Sequence, residues 1–101
     1  MLISPKDILQ AKKMLLGHTH QIQEKSRFYE IFSDPTRFKI IFLLQKYKEL
    51  CATDIAHVLG ISVSAVSHQA RIIESAGIIN RVRMGKMICY SIREDKIKGI
   101  I

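Results

Sequence analysis

The feature that most constrains this chain is the run Ile61 to Gly77, ISVSAVSHQARIIESAG, which holds the start, body and stop of one amphipathic helix. Ser62 is an N-cap residue whose hydroxyl can accept from the backbone N–H of Ser64 or Ala65, and Gly77 can take the left-handed conformation that closes a helix. Val66, Ala70 and Ile73 recur at i, i+4 and i+7 and form one packing stripe, while Ser64, Ser67, His68 and Arg71 project from other faces. Short hydroxyl, imidazole and guanidinium groups with little bulk between them suit a helix pressed into a DNA major groove, where base edges must be reached at close range. Ser-rich amphipathic helices also lie on ordinary surfaces, so the neighbours of this run decide its meaning.

Upstream, Thr53-Asp54-Ile55-Ala56-His57-Val58-Leu59-Gly60 predicts a second short helix, with its cap at or near Thr53 and its stop at Gly60. A tight turn through Gly60, Ile61 and Ser62 would join the two, which makes residues 53–77 a helix-turn-helix. Downstream, 78–83 and 87–92 are short strand-like runs on either side of Met84-Gly85-Lys86, a β-hairpin that reads as a wing over 78–92. Sixteen basic against nine acidic residues give a net charge of +7, a balance that favours a polyanion but also arises from solvated lysines. Here Arg81, Arg83 and Lys86 cluster in the wing beside a helix carrying Arg71, where phosphate would lie.

The segment from Phe28 to Ile92, about two-thirds of the chain, resembles the ArsR/SmtB family of winged-helix repressors. The residues that carry the likeness are Ser33-Asp34-Pro35-Thr36-Arg37, Glu49-Leu50-Cys51, Ser62-Val63-Ser64-Ala65-Val66-Ser67-His68-Gln69, and Gly85-Lys86 followed by Tyr90-Ser91. The resemblance implies a mainly α, dimeric winged helix-turn-helix that binds an inverted-repeat duplex and represses transcription until released by an inducer, often a metal ion or a thiol oxidant. On this reading Ser62, Val63, Ser64, Ser67, His68, Gln69 and Arg71 meet the duplex, and Arg81, Arg83 and Lys86 grip the flanking backbone. Val63 stands where related proteins often carry a polar residue, and Ala70 where a Leu is usual.

Two cysteines without a secretory signal argue against a disulfide scaffold and leave metal, redox or packing roles. The family's metal-sensing branch reads Glu-Leu-Cys-X-Cys-Asp where this chain has Cys51 followed by Thr53, so one thiolate is replaced by a hydroxyl, a poor ligand for a soft metal. The family's other metal site, on a long C-terminal helix, has no counterpart in 93–101. A mixed zinc or cadmium site of Cys51 with His18 and His20 remains open, although histidines at a helix start are more often plain surface residues. Cys89 lies in the second wing strand, with which a strand through Leu50 and Cys51 pairs in many winged helices. Such pairing would bring Cys51 and Cys89 to a Cα separation of roughly 4–7 Å, within disulfide range. The alternative is two reduced cysteines serving as small hydrophobes.

A length of 101 residues bounds the chain to one domain, 1–101, with a modest core, and 48% hydrophobic residues suggest that a second copy covers part of the surface. Residues 1–32 read as N-terminal helices. The first starts at Ser4-Pro5, stops at Gly17 and has Ile8, Leu9, Ala11, Leu15 and Leu16 on its apolar face; the second runs from Gln21 to Phe32. Asp34-Pro35 opens a third helix with Phe38, Ile41, Phe42 and Leu44 or Leu43 toward the core, and with Arg37 and Lys39 outward, placed for a phosphate or simply solvated. Residues 93–101 read as a tail whose Ile97, Ile100 and Ile101 are too few to bury themselves. No apolar run approaches the roughly 18 residues of a membrane span, which points to a cytoplasmic protein. No nucleophile–base pair, phosphate loop or complete metal motif is present, so catalysis is not expected. The competing reading is a winged-helix architectural or protein-interaction module without an inducer.

Overall fold

Capping chemistry sets where the helices of this chain begin. In the computed structural model, which describes residues 2–100, the elements are α1 (Pro5–Gly17), α2 (Thr19–Ile31), α3 (Pro35–Tyr47), β1 (Glu49–Cys51), α4 (Ala52–Leu59), α5 (Val63–Ser75), β2 (Ile79–Met84), β3 (Met87–Ile92) and α6 (Glu94–Ile97). Ser4 and Asp7 form a reciprocal capping box ahead of α1, and the Asp34 carboxylate accepts from the Arg37 N–H to start α3. The second short helix begins one residue earlier than the sequence suggests. Cys51 is its N-cap, because the Asp54 carboxylate reaches back to the Cys51 N–H at 2.9 Å, and Thr53 lies inside the first turn.

The core gathers Ile40, Ile41 and Leu44 of α3, Ala52, Ile55 and Ala56 of α4, Val66, Ala70 and Ile73 of α5, and Ile78, Ile79 and Tyr90 around the sheet. Two expectations for α3 need correction. Ile40 is a core residue, whereas Phe42 is 54% exposed and Phe38 sits at the margin, because the buried stripe 40–41–44 turns positions 38 and 42 outward. Nor does the C-terminal tail stay uncovered: Ile97, on the short α6, is buried. Ile101 lies outside the described residues.

The three strands form an antiparallel sheet in the order β1-β3-β2. β2 and β3 make the expected hairpin, with Met84 paired to Met87 and Gly85 at φ +64 in the two-residue turn, a conformation glycine adopts without steric penalty. β1 adds an edge strand in the register Leu50 to Tyr90 and Cys51 to Cys89. Period-two alternation puts Leu50 and Tyr90 on the core face and the two cysteines on the other.

α1 buries none of its residues. Gly17 does not end it with a left-handed turn; a single residue, His18, separates α1 from α2, which therefore starts at Thr19 rather than Gln21. α1 and the start of α2 extend from the winged-helix body, while Phe28 and Ile31 near the end of α2 pack on its core; the radius of gyration is 18.4 Å and the extents are 61 × 23 × 22 Å. A globular chain of this length has a radius near about 13 Å.

Candidate nucleic-acid interface

The turn between α4 and α5 fixes the presentation of α5. Gly60 ends α4 at φ +67 and ψ +33, the Ile61 N–H donates to the Ala56 carbonyl, and Ser62 Oγ accepts from the Ala65 N–H at 3.0 Å. One side of α5 is then committed, since Val66, Ala70 and Ile73 are buried. At 100° per residue, Ser64, His68 and Arg71 lie roughly 140–160° around the helix from Val66. All three are exposed, and Ser67 flanks them, half-buried. This opposite stripe is the free polar face that the sequence implies. Val63, 45% exposed, opens the helix beside it.

Gln69 does not belong to that face. It points toward α3, where its Oε1 accepts from Arg37 Nη1 at 3.2 Å, and Arg37 Nε donates to the Ile31 carbonyl at 3.2 Å. Arg37 thus ties α2, α3 and α5 together in place of a solvated or phosphate-facing role. Lys39 stays exposed.

In the wing, Arg81, Arg83 and Lys86 are exposed. Arg81 Nε lies 3.7 Å from Glu74 Oε2 of α5, so it braces the base of the wing against the helix, while Arg83 Nε donates to the Gly85 carbonyl near the tip at 3.4 Å. Sequence reasoning missed two side chains here. Thr53 and His57, at i and i+4 on α4, are exposed and line a shallow cavity of about 380 Å³ together with Ser62 and Val63. Their spacing was the available signal, but Thr53 reads as a cap or as a missing ligand until the true cap at Cys51 is known.

The residues considered for metal do not fit a soft-metal centre. Cys51 is bonded to Cys89, with Cα atoms 3.7 Å apart, and the Thr53 hydroxyl stands where a second thiolate would be needed. His18 Nδ1 lies 2.8 Å from the Met14 carbonyl oxygen at the α1–α2 joint, and His20 is exposed on α2. Among the described residues, no three His, Cys, Asp or Glu side chains come together as a zinc or cadmium ligand set. No described helix is long and apolar enough to cross a membrane.

Comparison with known proteins places this architecture. Residues 34–81 match the family model described as "Bacterial regulatory protein, arsR family". The chain is 32% identical over 80 residues to a transcriptional repressor SmtB homolog of Synechocystis, covering 79% of this chain and 60% of that protein. It is also 32% identical over 81 residues to the transcriptional repressor PagR of Bacillus anthracis, covering 79% of this chain and 80% of PagR. The crystal structure of PagR superposes with a TM-score of 0.69 over 81% of this chain and 93% of that one. A homodimeric winged helix-turn-helix domain from Mycobacterium bovis shares the fold, with a TM-score of 0.73 at 22% identity over 80% of this chain and 75% of that one. The chain spans 60–64% of the length of the first curated relatives it matches. By its sequence and its winged helix-turn-helix, the chain belongs to the arsR family of bacterial regulatory proteins.

Proposed function

We propose that this protein is a homodimeric, sequence-specific DNA-binding repressor. The observation that carries the reading is the exposed stripe Ser64, His68 and Arg71, turned away from the buried face of α5 and set beside a wing bearing Arg81, Arg83 and Lys86. Ser64, Ser67 and His68 read base edges, Val63 meets a thymine methyl, and Arg71 takes a guanine or a phosphate. Arg83 and Lys86 hold the flanking backbone, Arg81 does so from the base of the wing, and Thr53 and His57 lie where the first helix of such a motif crosses the phosphates. The Ser62 oxygen accepts the cap bond from Ala65, which leaves its O–H as a donor and one lone pair as an acceptor toward DNA.

The dimer follows from α1 and from the relatives' behaviour. A 13-residue helix with no buried residue is marginal in water by itself, and Leu9, Met14, Leu15 and Leu16 are all more than half exposed. A second copy covers them, in keeping with the homodimeric Mycobacterium bovis domain. Two reading helices one turn of DNA apart, roughly 34 Å, call for an inverted repeat. Several relatives are cadmium resistance regulators, but the inducer here is not a metal held at Cys51 and position 53, since the donors are lacking. Binding to a selected duplex and to a scrambled one across a salt series tests the function. A repressor prefers the selected site by at least about a thousandfold; an architectural protein binds both alike.

A further inference from the structure

We infer that the groove between α2, the C-terminal end of α5 and the tail after α6 is an effector site for a small organic carboxylate with an apolar body. The binding part of this inference stands by itself; its regulatory part rests on the DNA-binding reading above. The groove is a cavity of about 780 Å³, within the roughly 300–1,000 Å³ of small-molecule sites. No candidate DNA contact lines it. It reaches Ser75 and Ala76 at the end of α5, whereas Ser62, Val63 and Ser64 lie at the start of that helix.

The floor of the groove is apolar and its rim is basic. Phe28 and Ile31 of α2, Ala76 and Ile100 form the floor, each buried or half-buried, and the first three belong to the core or pack against it. Lys25, Lys96 and Lys98 stand exposed around it. The carboxylates nearby already have partners: Glu24 lies 3.7 Å from Arg27, Asp95 lies 3.5 Å from Arg93, and Glu94 pairs with Lys48. Among the described residues, the three lysines have no ion-pair or hydrogen-bond partner. A cation is repelled from such a rim, and a bare inorganic anion leaves the floor in water. The last carbonyls of α5 carry partial negative charge, so the carboxylate lies toward Lys96 and Lys98 and the apolar end toward Ala76. A second copy with this groove on the two-fold axis would set lysine against lysine, which argues for a small anion as the occupant.

The groove is joined to the reading helix through one side chain. Ile31 is part of its floor, and the Ile31 carbonyl accepts from Arg37 Nε at 3.2 Å. Arg37 Nη1 donates in turn to Gln69 Oε1 in the middle of α5, also at 3.2 Å. An apolar body seated between α2 and the tail draws those walls together, Ile31 moves with its helix, and Arg37 passes the shift to α5. A duplex needs α5 in one orientation. Carboxylate and duplex thus favour different settings of the same element, and each weakens binding of the other.

The test is calorimetric titration of the full chain with sodium octanoate and with sodium 4-phenylbutyrate, which separate an aliphatic from an aromatic body. Acetate, 1-octanol and octyltrimethylammonium are the controls. At least one of the two carboxylates should bind saturably and roughly tenfold or more tighter than every control. The double variant K96Q/K98Q should weaken that binding about tenfold, and Ser75→Trp, which fills the groove from the end of α5, should abolish it. Both variants should still prefer a duplex selected by the wild-type chain over a scrambled one. Saturating carboxylate should lower wild-type affinity for the selected duplex roughly fivefold or more, and bound duplex should lower carboxylate affinity by the same factor. Arg37→Met should bind the carboxylate with the two affinities uncoupled; coupling that survives there overturns the route through Arg37. No saturable binding of either carboxylate at millimolar concentration, equal binding of octanol or of the cation, or binding untouched by both variants overturns the site. So does loss of the far-ultraviolet helix signal on adding carboxylate, which marks a detergent effect. A dimer split by both variants makes the groove a subunit contact and overturns it too. Carboxylate binding with duplex affinity unchanged overturns the effector role and leaves the DNA-binding function intact. If no duplex is preferred in any state, that function fails, and calorimetry on the two variants still decides the site.

Discussion

At the scale of single residues, base reading and backbone gripping are separable. Ser67→Ala and His68→Ala should weaken binding to the selected site more than to random duplex, whereas Arg83→Ala should weaken both and lower the salt slope by about one unit. Fluorescence anisotropy across a salt series checks both, and equal losses on the two duplexes for all three variants would contradict the assignment. Gln69 belongs to a different class. Because its amide oxygen accepts from Arg37, which also donates to the Ile31 carbonyl, Arg37→Met should cost stability, about 1–2 kcal/mol by urea denaturation, rather than affinity for a folded site. The sequence places Gln69 in the helix but cannot show which neighbour claims its side chain, since Arg37 is 32 positions away.

At the scale of elements, local rules are legible in the residues themselves, whereas long-range pairing is legible only through the winged-helix pattern. The α5 helix follows from its own residues: Ser62 caps it, Val66, Ala70 and Ile73 pack, and Gly77 takes φ +75 after its end. Ser62→Ala should therefore cost about 1 kcal/mol and Ser62→Gly only a few tenths, as thermal unfolding would show. The start of α4 was misjudged because a cysteine is an unusual N-cap, and only the Asp54 contact with the Cys51 N–H reveals it. In α3 the run FKIIFLL offers several apolar faces, and the partners α4 and α5 choose the one with Ile40, Ile41 and Leu44. The pairing of β1 with β3, and with it the meeting of Cys51 and Cys89, is anticipated from the usual strand order of winged helices and not from any local pattern, and the structure has it.

At the scale of the whole molecule, an extended shape and an uncovered α1 are signs of an incomplete assembly. Replacing Leu15 and Leu16 together by Glu should convert the dimer to a monomer in sedimentation while leaving the far-ultraviolet signal of the winged-helix body largely in place; a wild-type monomer at micromolar concentration would refute the dimer. The central claim is that two copies of α5 read one duplex in two-fold symmetry. Selection of bound DNA from a random pool tests it most directly. The account predicts enrichment of a single inverted repeat with half-site centres about 10 base pairs apart, an enrichment lost in Ser67→Ala and His68→Ala. Recovery of unrelated sequences, or of a single unpaired half-site, would contradict it.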